Sequence, residues 1–121
     1  MPTILLVEDY DDSRSMMKFV LENNGYHVIE AMNGLEAIDH VKTEAPDLIL
    51  MDVSLPQMDG LEAVRHIKTI AQAEHIPVIC LTAHSTDYQQ QALEAGCATV
   101  ILKPFDVLKL PEIVGPYIKK E

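Results

Sequence analysis

The sequence predicts a doubly wound α/β domain, a parallel sheet of five strands with helices on both faces. Short apolar runs alternate with longer segments of helical period, the signature of strands joined by helical crossovers. The runs Ile4 to Val7, Leu48 to Met51 and Val78 to Leu81 are apolar throughout, as a sheet covered on both faces demands. At 121 residues the chain has the size of one domain, and its 48% hydrophobic content provides a core rather than a disordered coil.

The elements follow in order. The first strand is Thr3 to Val7. Met16, Met17, Val20 and Leu21 then recur at helical spacing, with Ser13 available to cap the start and Gly25 placed where a left-handed helix end needs it. His27 to Glu30 forms the second strand, and Leu35, Ile38 and Val41 mark the second helix. Asp47 to Met51 is the third strand, Leu61, Val64 and Ile67 mark the third helix, and Ile76 to Leu81 is the fourth strand. A weaker stretch from Asp87 to Ala95, stopped by Gly96, is the fourth helix, and Thr99 to Leu102 is the fifth strand. The aliphatic and methionine stripes are expected in the core. The tail from Asp106 to Glu121 has the length and polarity of a helix, but Pro111 and the Gly115-Pro116 pair break its hydrogen bonding, so an irregular fifth helix is expected. Cys80 and Cys97 lack metal-ligand spacing and read as small buried hydrophobes, with no disulfide expected.

Nineteen acidic against nine basic residues leave a formal charge of −10, which opposes the phosphate attraction behind nucleic-acid binding. Anionic membranes are disfavoured for the same reason. No apolar run approaches a membrane span, and no basic leader precedes the first strand, so a cytoplasmic protein without membrane insertion is expected. The residues after Lys103 suffice for one helical element, leaving a single domain over 1–121 and no output domain.

In open α/β sheets ligands bind beyond the carboxyl ends of the strands, where the strand order reverses. Polar residues stand at those ends: Glu8-Asp9 after the first strand, Asp52 after the third, Thr82 after the fourth and Lys103 after the fifth. Taken singly, each fits a helix cap or a solvated turn. Together they form a constellation suited to phosphoryl transfer. Three carboxylates in one crevice repel unless a cation such as Mg²⁺ and an ammonium offset them. An Asp can then serve as nucleophile, and a Thr hydroxyl can hydrogen-bond a phosphoryl oxygen.

Read with their motifs, these residues make the chain resemble the receiver domains of two-component response regulators, the CheY-like family, over essentially its whole length. The resemblance rests on Leu5-Leu6-Val7-Glu8-Asp9, on Asp52-Val53-Ser54-Leu55-Pro56-Gln57-Met58-Asp59-Gly60, on Leu81-Thr82-Ala83 and on Lys103-Pro104-Phe105. It implies a flavodoxin-like sheet in the order 2-1-3-4-5. It makes Asp52 the phosphoacceptor, with Mg²⁺ held by Glu8, Asp9, Asp52 and the Ser54 backbone carbonyl, and Lys103 paired with the phosphoryl group. Thr82 is then the residue that senses phosphorylation, and the Lys103-Pro104 bond is cis. Pro56 and Gly60 read as turn residues. Position 100 commonly carries an aromatic switch residue in this family; here it is Val100. Together with Pro111 and Pro116, this points to a switch transmitted by Thr82 and the loop from Ala83 to Thr86.

The implied function is that of a stand-alone, non-enzymatic response regulator. A histidine kinase or histidine phosphotransfer protein is the expected donor, with an unidentified downstream protein target. Three rivals differ in class. A haloacid-dehalogenase-type phosphatase would use Asp9 as nucleophile and Asp11 as acid/base in the sequence Asp9-Tyr10-Asp11. A pseudo-receiver would bind partners without taking phosphate. A flavodoxin-type electron carrier is disfavoured because Glu8, Asp9, Asp11 and Asp12 would repel a flavin phosphate. Tyr10, Asp11 and Asp12 read as a solvated helix start, and none of the scattered histidines is proposed as a phosphocarrier.

Overall fold

The computed structural model describes residues 1–55, 58–83 and 86–118. Five strands, β1 (Thr3–Val7), β2 (His27–Ala31), β3 (Leu48–Asp52), β4 (Val78–Thr82) and β5 (Thr99–Leu102), pair in parallel in the order β2-β1-β3-β4-β5. The crossovers are α1 (Asp11–Asn23), α2 (Gly34–Glu44), α3 (Gly60–Lys68) and α4 (Thr86–Ala95), and a short α5 (Leu110–Val114) follows β5. This is the flavodoxin-like architecture expected.

Continuous apolar strands make sense because the sheet divides two cores. Successive β1 side chains point to opposite faces. Ile4 and Leu6 join Met17, Leu21, Leu110 and Val114 under α1 and α5. Leu5 and Val7 join Ile38, Val41, Val64, Ile67 and Ala92 under α2, α3 and α4. Each fully buried Leu or Ile contributes about 1.5–3 kcal/mol of transfer free energy.

Several boundaries and faces differ from expectation. β2 extends to Ala31, β3 runs from Leu48 to Asp52, and β4 begins at Val78. Pro77 stays outside β4, where its carbonyl accepts Ile49 N–H at 3.0 Å. Ser13 is not the cap of α1: the helix starts at Asp11 behind an extended Tyr10, and Asp11 and Asp12 in its first turn suit the positive end of the helix dipole. Met16 and Leu35, expected in the core, are 57% and 53% exposed. Helical spacing selects a broad arc, and only the part facing the sheet is covered. Gly25 and Gly96 adopt φ of +91° and +116°, left-handed values that end α1 and α4 as expected.

The tail is irregular as anticipated. A 3₁₀ turn (Val107–Lys109), the short α5 with Pro111 in its first turn, and a second 3₁₀ turn (Gly115–Tyr117) replace one continuous helix. Residues 119–121 of the expected tail lie outside the described residues.

Cys80 and Cys97 are both buried, as expected, but the structure joins them as a disulfide with Cα atoms 6.4 Å apart. Sequence spacing hides this pairing because the α4 crossover returns the chain to β4. There Ala98 N–H donates to Val78 O at 2.8 Å and sets residue 97 beside the strand.

Candidate functional site

Register assembles the site. Val7 pairs with Met51, so Glu8, one residue beyond β1, comes beside Asp52, the last residue of β3. Asp52 pairs in turn with Leu81, which sets Thr82 at the next position of β4. Lys103 N–H donates to Thr82 O at 2.8 Å, holding the end of β5 against β4. From there the Lys103 side chain reaches back over the strand ends: Nζ donates to Asp52 Oδ2 at 2.9 Å and lies 3.6 Å from Glu8 Oε1. Asp52 Oδ1 accepts Ser54 N–H at 2.9 Å. The Lys103–Pro104 bond is cis, as the resemblance implied.

Burial sets the electrostatics. Glu8, Asp52 and Thr82 are nearly inaccessible, at 3%, 3% and 1%. Loss of water and the neighbouring Asp52, through a shared hydrogen bond and charge repulsion, push the Glu8 carboxyl from 4.5 up to about 7, against the pull of Lys103. Burial disfavours the Lys103 ammonium, but Asp52 and Glu8 outweigh it and raise its pKa. Asp9 is exposed at the mouth of the crevice. Ligand oxygens of Glu8, Asp9 and Asp52 all lie within 4.8 Å of one another. An all-oxygen carboxylate set of this kind fits a hard divalent cation.

Of the residues singled out in the sequence, Glu8, Asp9, Asp52, Thr82 and Lys103 converge, and Ser54 sits in the adjoining turn. Val100 lies apart from them. It is half-buried on β5 and packs against the core beneath α2, α3 and α4. Asp11 belongs to the first turn of α1, where it is ion-paired with Arg14 at 2.6 Å rather than facing a reaction centre. Pro56 and Gln57 of the loop after Asp52, and residues 84–85 of the expected switch loop, lie outside the described residues.

Two contributors escaped the sequence reading. Gly60 was read as a turn residue, yet it is the first residue of α3 and presses on β3. A Cβ there would run into Asp52 O and come within 2.6 Å of Val53 Cα, while Gly60 N–H donates to Val53 O at 2.9 Å. The other is Arg14, whose guanidinium reaches Glu8 O, Asp11 and Glu30. Its signal was a single cation among the acids that follow the first strand. Beside the site a cavity of about 510 Å³ opens between α1 and the segment after β5, lined by Met16, Met17, Ala83, Lys103, Phe105 and Val107 among others.

The chain is similar in sequence and fold to known proteins. The polar-differentiation response regulator DivK of Brucella anthropi is 35% identical over 117 residues, covering 96% of this chain and 95% of its own. The chemotaxis response regulator CheY4 of Vibrio cholerae superposes with a TM-score of 0.92 at 28% identity, over 98% of this chain and 99% of that one. The receiver domain of the sensor histidine kinase PA1611 from Pseudomonas aeruginosa, solved with a magnesium ion coordinated in its active-site cleft, superposes with a TM-score of 0.88 at 32% identity over 96% of each chain. The family model of the response regulator receiver domain matches residues 4–115. Because that match runs from β1 past the end of α5, the chain belongs to the response regulator receiver family of two-component systems.

Proposed function

We propose that this chain is a stand-alone response regulator that takes a phosphoryl group onto Asp52 from a phosphohistidine donor and signals by changing which protein its surface binds. The observation that carries the reading is the setting of Asp52. This buried carboxylate closes β3 with one oxygen on Lys103 and the other on Ser54 N–H, in reach of Glu8 and Asp9.

In the transfer, an Asp52 carboxylate oxygen attacks phosphorus. The new P–O bond forms as the P–N bond of the donor breaks, and the imidazole leaves with that bond's electron pair. Lys103, already between Glu8 and Asp52, offsets charge on the phosphoryl oxygens. Thr82, next to Asp52 in the sheet, offers its hydroxyl to one of those oxygens and passes the change to the loop that follows. Mg²⁺ held by Glu8, Asp9, Asp52 and the Ser54 carbonyl would supply the remaining charge neutralisation. The PA1611 receiver, with its coordinated magnesium, supports that choice of ion.

The partners in this reading are a histidine kinase or histidine phosphotransfer protein upstream and a protein target downstream, in the cytoplasm. Turnover is limited to the chain's own phosphorylation and dephosphorylation. Among the described residues no helix is long and apolar enough to cross a membrane.

The test is phosphoryl incorporation from acetyl phosphate or a phosphorylated histidine kinase, followed by intact mass with and without Mg²⁺. Wild type should gain one phosphoryl group in a Mg²⁺-dependent reaction, and Asp52→Asn should lose it. Undiminished incorporation in Asp52→Asn overturns the assignment, and labelling at Asp9 would favour the phosphatase chemistry instead.

A further inference from the structure

Arg14 lies in the first turn of α1, where its N–H donates to Tyr10 O at 3.0 Å. Its side chain is only 12% exposed, although it sits among acids, and the guanidinium spends its donors in three directions. Nη2 meets Asp11 Oδ1 at 2.6 Å, Nε meets Glu30 Oε1 at 3.2 Å, and Nη1 donates to the main-chain oxygen of Glu8 at 3.0 Å. That last acceptor belongs to the peptide joining Glu8 to Asp9. On its other side, Glu8 N–H is tied to Ala31 O at 3.0 Å. Glu8 and Asp52 are held by burial, whereas Asp9 is exposed, so packing does not fix its carboxylate and the preceding peptide sets the main chain from which it projects.

We infer that Arg14 is a positioning residue for the divalent-cation site, acting through its hold on the Glu8–Asp9 peptide rather than through its charge. The inference rests on the reading of Glu8, Asp9 and Asp52 as that site. The two ways Arg14 could act predict opposite signs. A guanidinium beside a cation site repels the incoming ion, so by charge alone its removal would tighten Mg²⁺ binding. If Arg14 aims Asp9, its removal must weaken binding. Lysine separates the two effects further, because it keeps the charge but its single ammonium cannot reproduce a planar fork with three divergent partners.

The experiment titrates the full-length protein with MgCl₂ at fixed ionic strength, following the amide resonances of residues 8–10 and 52–54. It compares wild type with Arg14→Gln, Arg14→Lys and Glu30→Gln. Groups that orient a metal's ligands typically change affinity 10–100-fold, so Arg14→Gln should raise the Mg²⁺ dissociation constant by roughly tenfold and Arg14→Lys by a lesser but measurable factor. Glu30→Gln removes a surface partner of Arg14 without touching the Glu8 carbonyl bond and should stay within about twofold, as exposed ion pairs contribute little. An unchanged or tighter dissociation constant in Arg14→Gln overturns the inference. If Arg14→Gln does not fold, a wild-type constant in Arg14→Lys overturns it equally. Wild type that shows no saturable Mg²⁺ response overturns the cation-site reading itself, and this inference with it.

Discussion

Glu8 illustrates how one buried residue links the site to the stability of the whole domain. Its carboxyl holds a proton up to about pH 7 in the folded chain because burial and Asp52 both disfavour the ion, whereas in the unfolded chain it releases that proton near 4.5. Between those values the native state binds more protons than the unfolded state, so stability falls as pH rises. The contribution is complete below the unfolded value and is lost as pH climbs through about 7. Denaturation in chelator at pH values from 4.5 to 8 should therefore show wild type losing stability relative to Glu8→Gln by on the order of 1–3 kcal/mol. A difference that stays flat across this range would remove Glu8 as the titrating group. Lys103 opposes the trend without cancelling it, since its ammonium bonds to Asp52 at 2.9 Å but lies 3.6 Å from Glu8.

At the scale of elements, the junction of β3 with α3 determines how firmly Asp52 is held. Asp59 caps α3 by accepting Leu61 N–H at 2.7 Å, which brings Gly60 against the backbone of Asp52 and Val53. Those are main-chain atoms at the end of a central strand and one residue beyond it, and they cannot yield as the end of a flexible side chain could. Gly60→Ala should therefore destabilise by roughly 1–3 kcal/mol, as overpacked cores do, and slow phosphorylation of Asp52 by displacing its main chain. Thermal melting together with the rate of reaction with acetyl phosphate checks both parts, and a variant with wild-type melting and kinetics would show that the helix can simply shift away. The same scale accounts for the exposed Met16 and Leu35. Periodicity reports that a helix has an apolar side, but the width of the face actually covered depends on what packs there.

Over the whole molecule, topology gathers three of the nineteen acidic residues at the site, beside Lys103. The order β2-β1-β3-β4-β5 brings the ends of β1 and β3 together, and the acids at those ends meet there. A cation bound only by the folded chain must stabilise it, by about 2.7 kcal/mol at one hundred times the dissociation constant. Millimolar MgCl₂ should raise the melting temperature beyond what NaCl of equal ionic strength achieves, and Asp9→Asn should lose most of that increment. Equal effects of the two salts on wild type would mean that only general screening is at work.

Fold class, strand order and the identities of the converging residues were all legible in the sequence. Apolar runs, glycine stops and polar residues at strand ends are local features, and the resemblance supplied the order in which they assemble. Glu8, Asp52, Thr82 and Lys103 stood out because each directly follows an apolar run, and Asp9 because it follows Glu8. What the tertiary structure alone decided depends on contacts between distant segments. Residue 60 had to press on β3 before its lack of a side chain meant more than a turn. The α4 crossover had to close before Cys97 could meet Cys80. The guanidinium of Arg14 had to find a main-chain oxygen, an acceptor every residue carries and no sequence marks. Side-chain type and period are written along the chain, whereas burial, proximity and the direction of a hydrogen bond exist only once the sheet has brought its ends together.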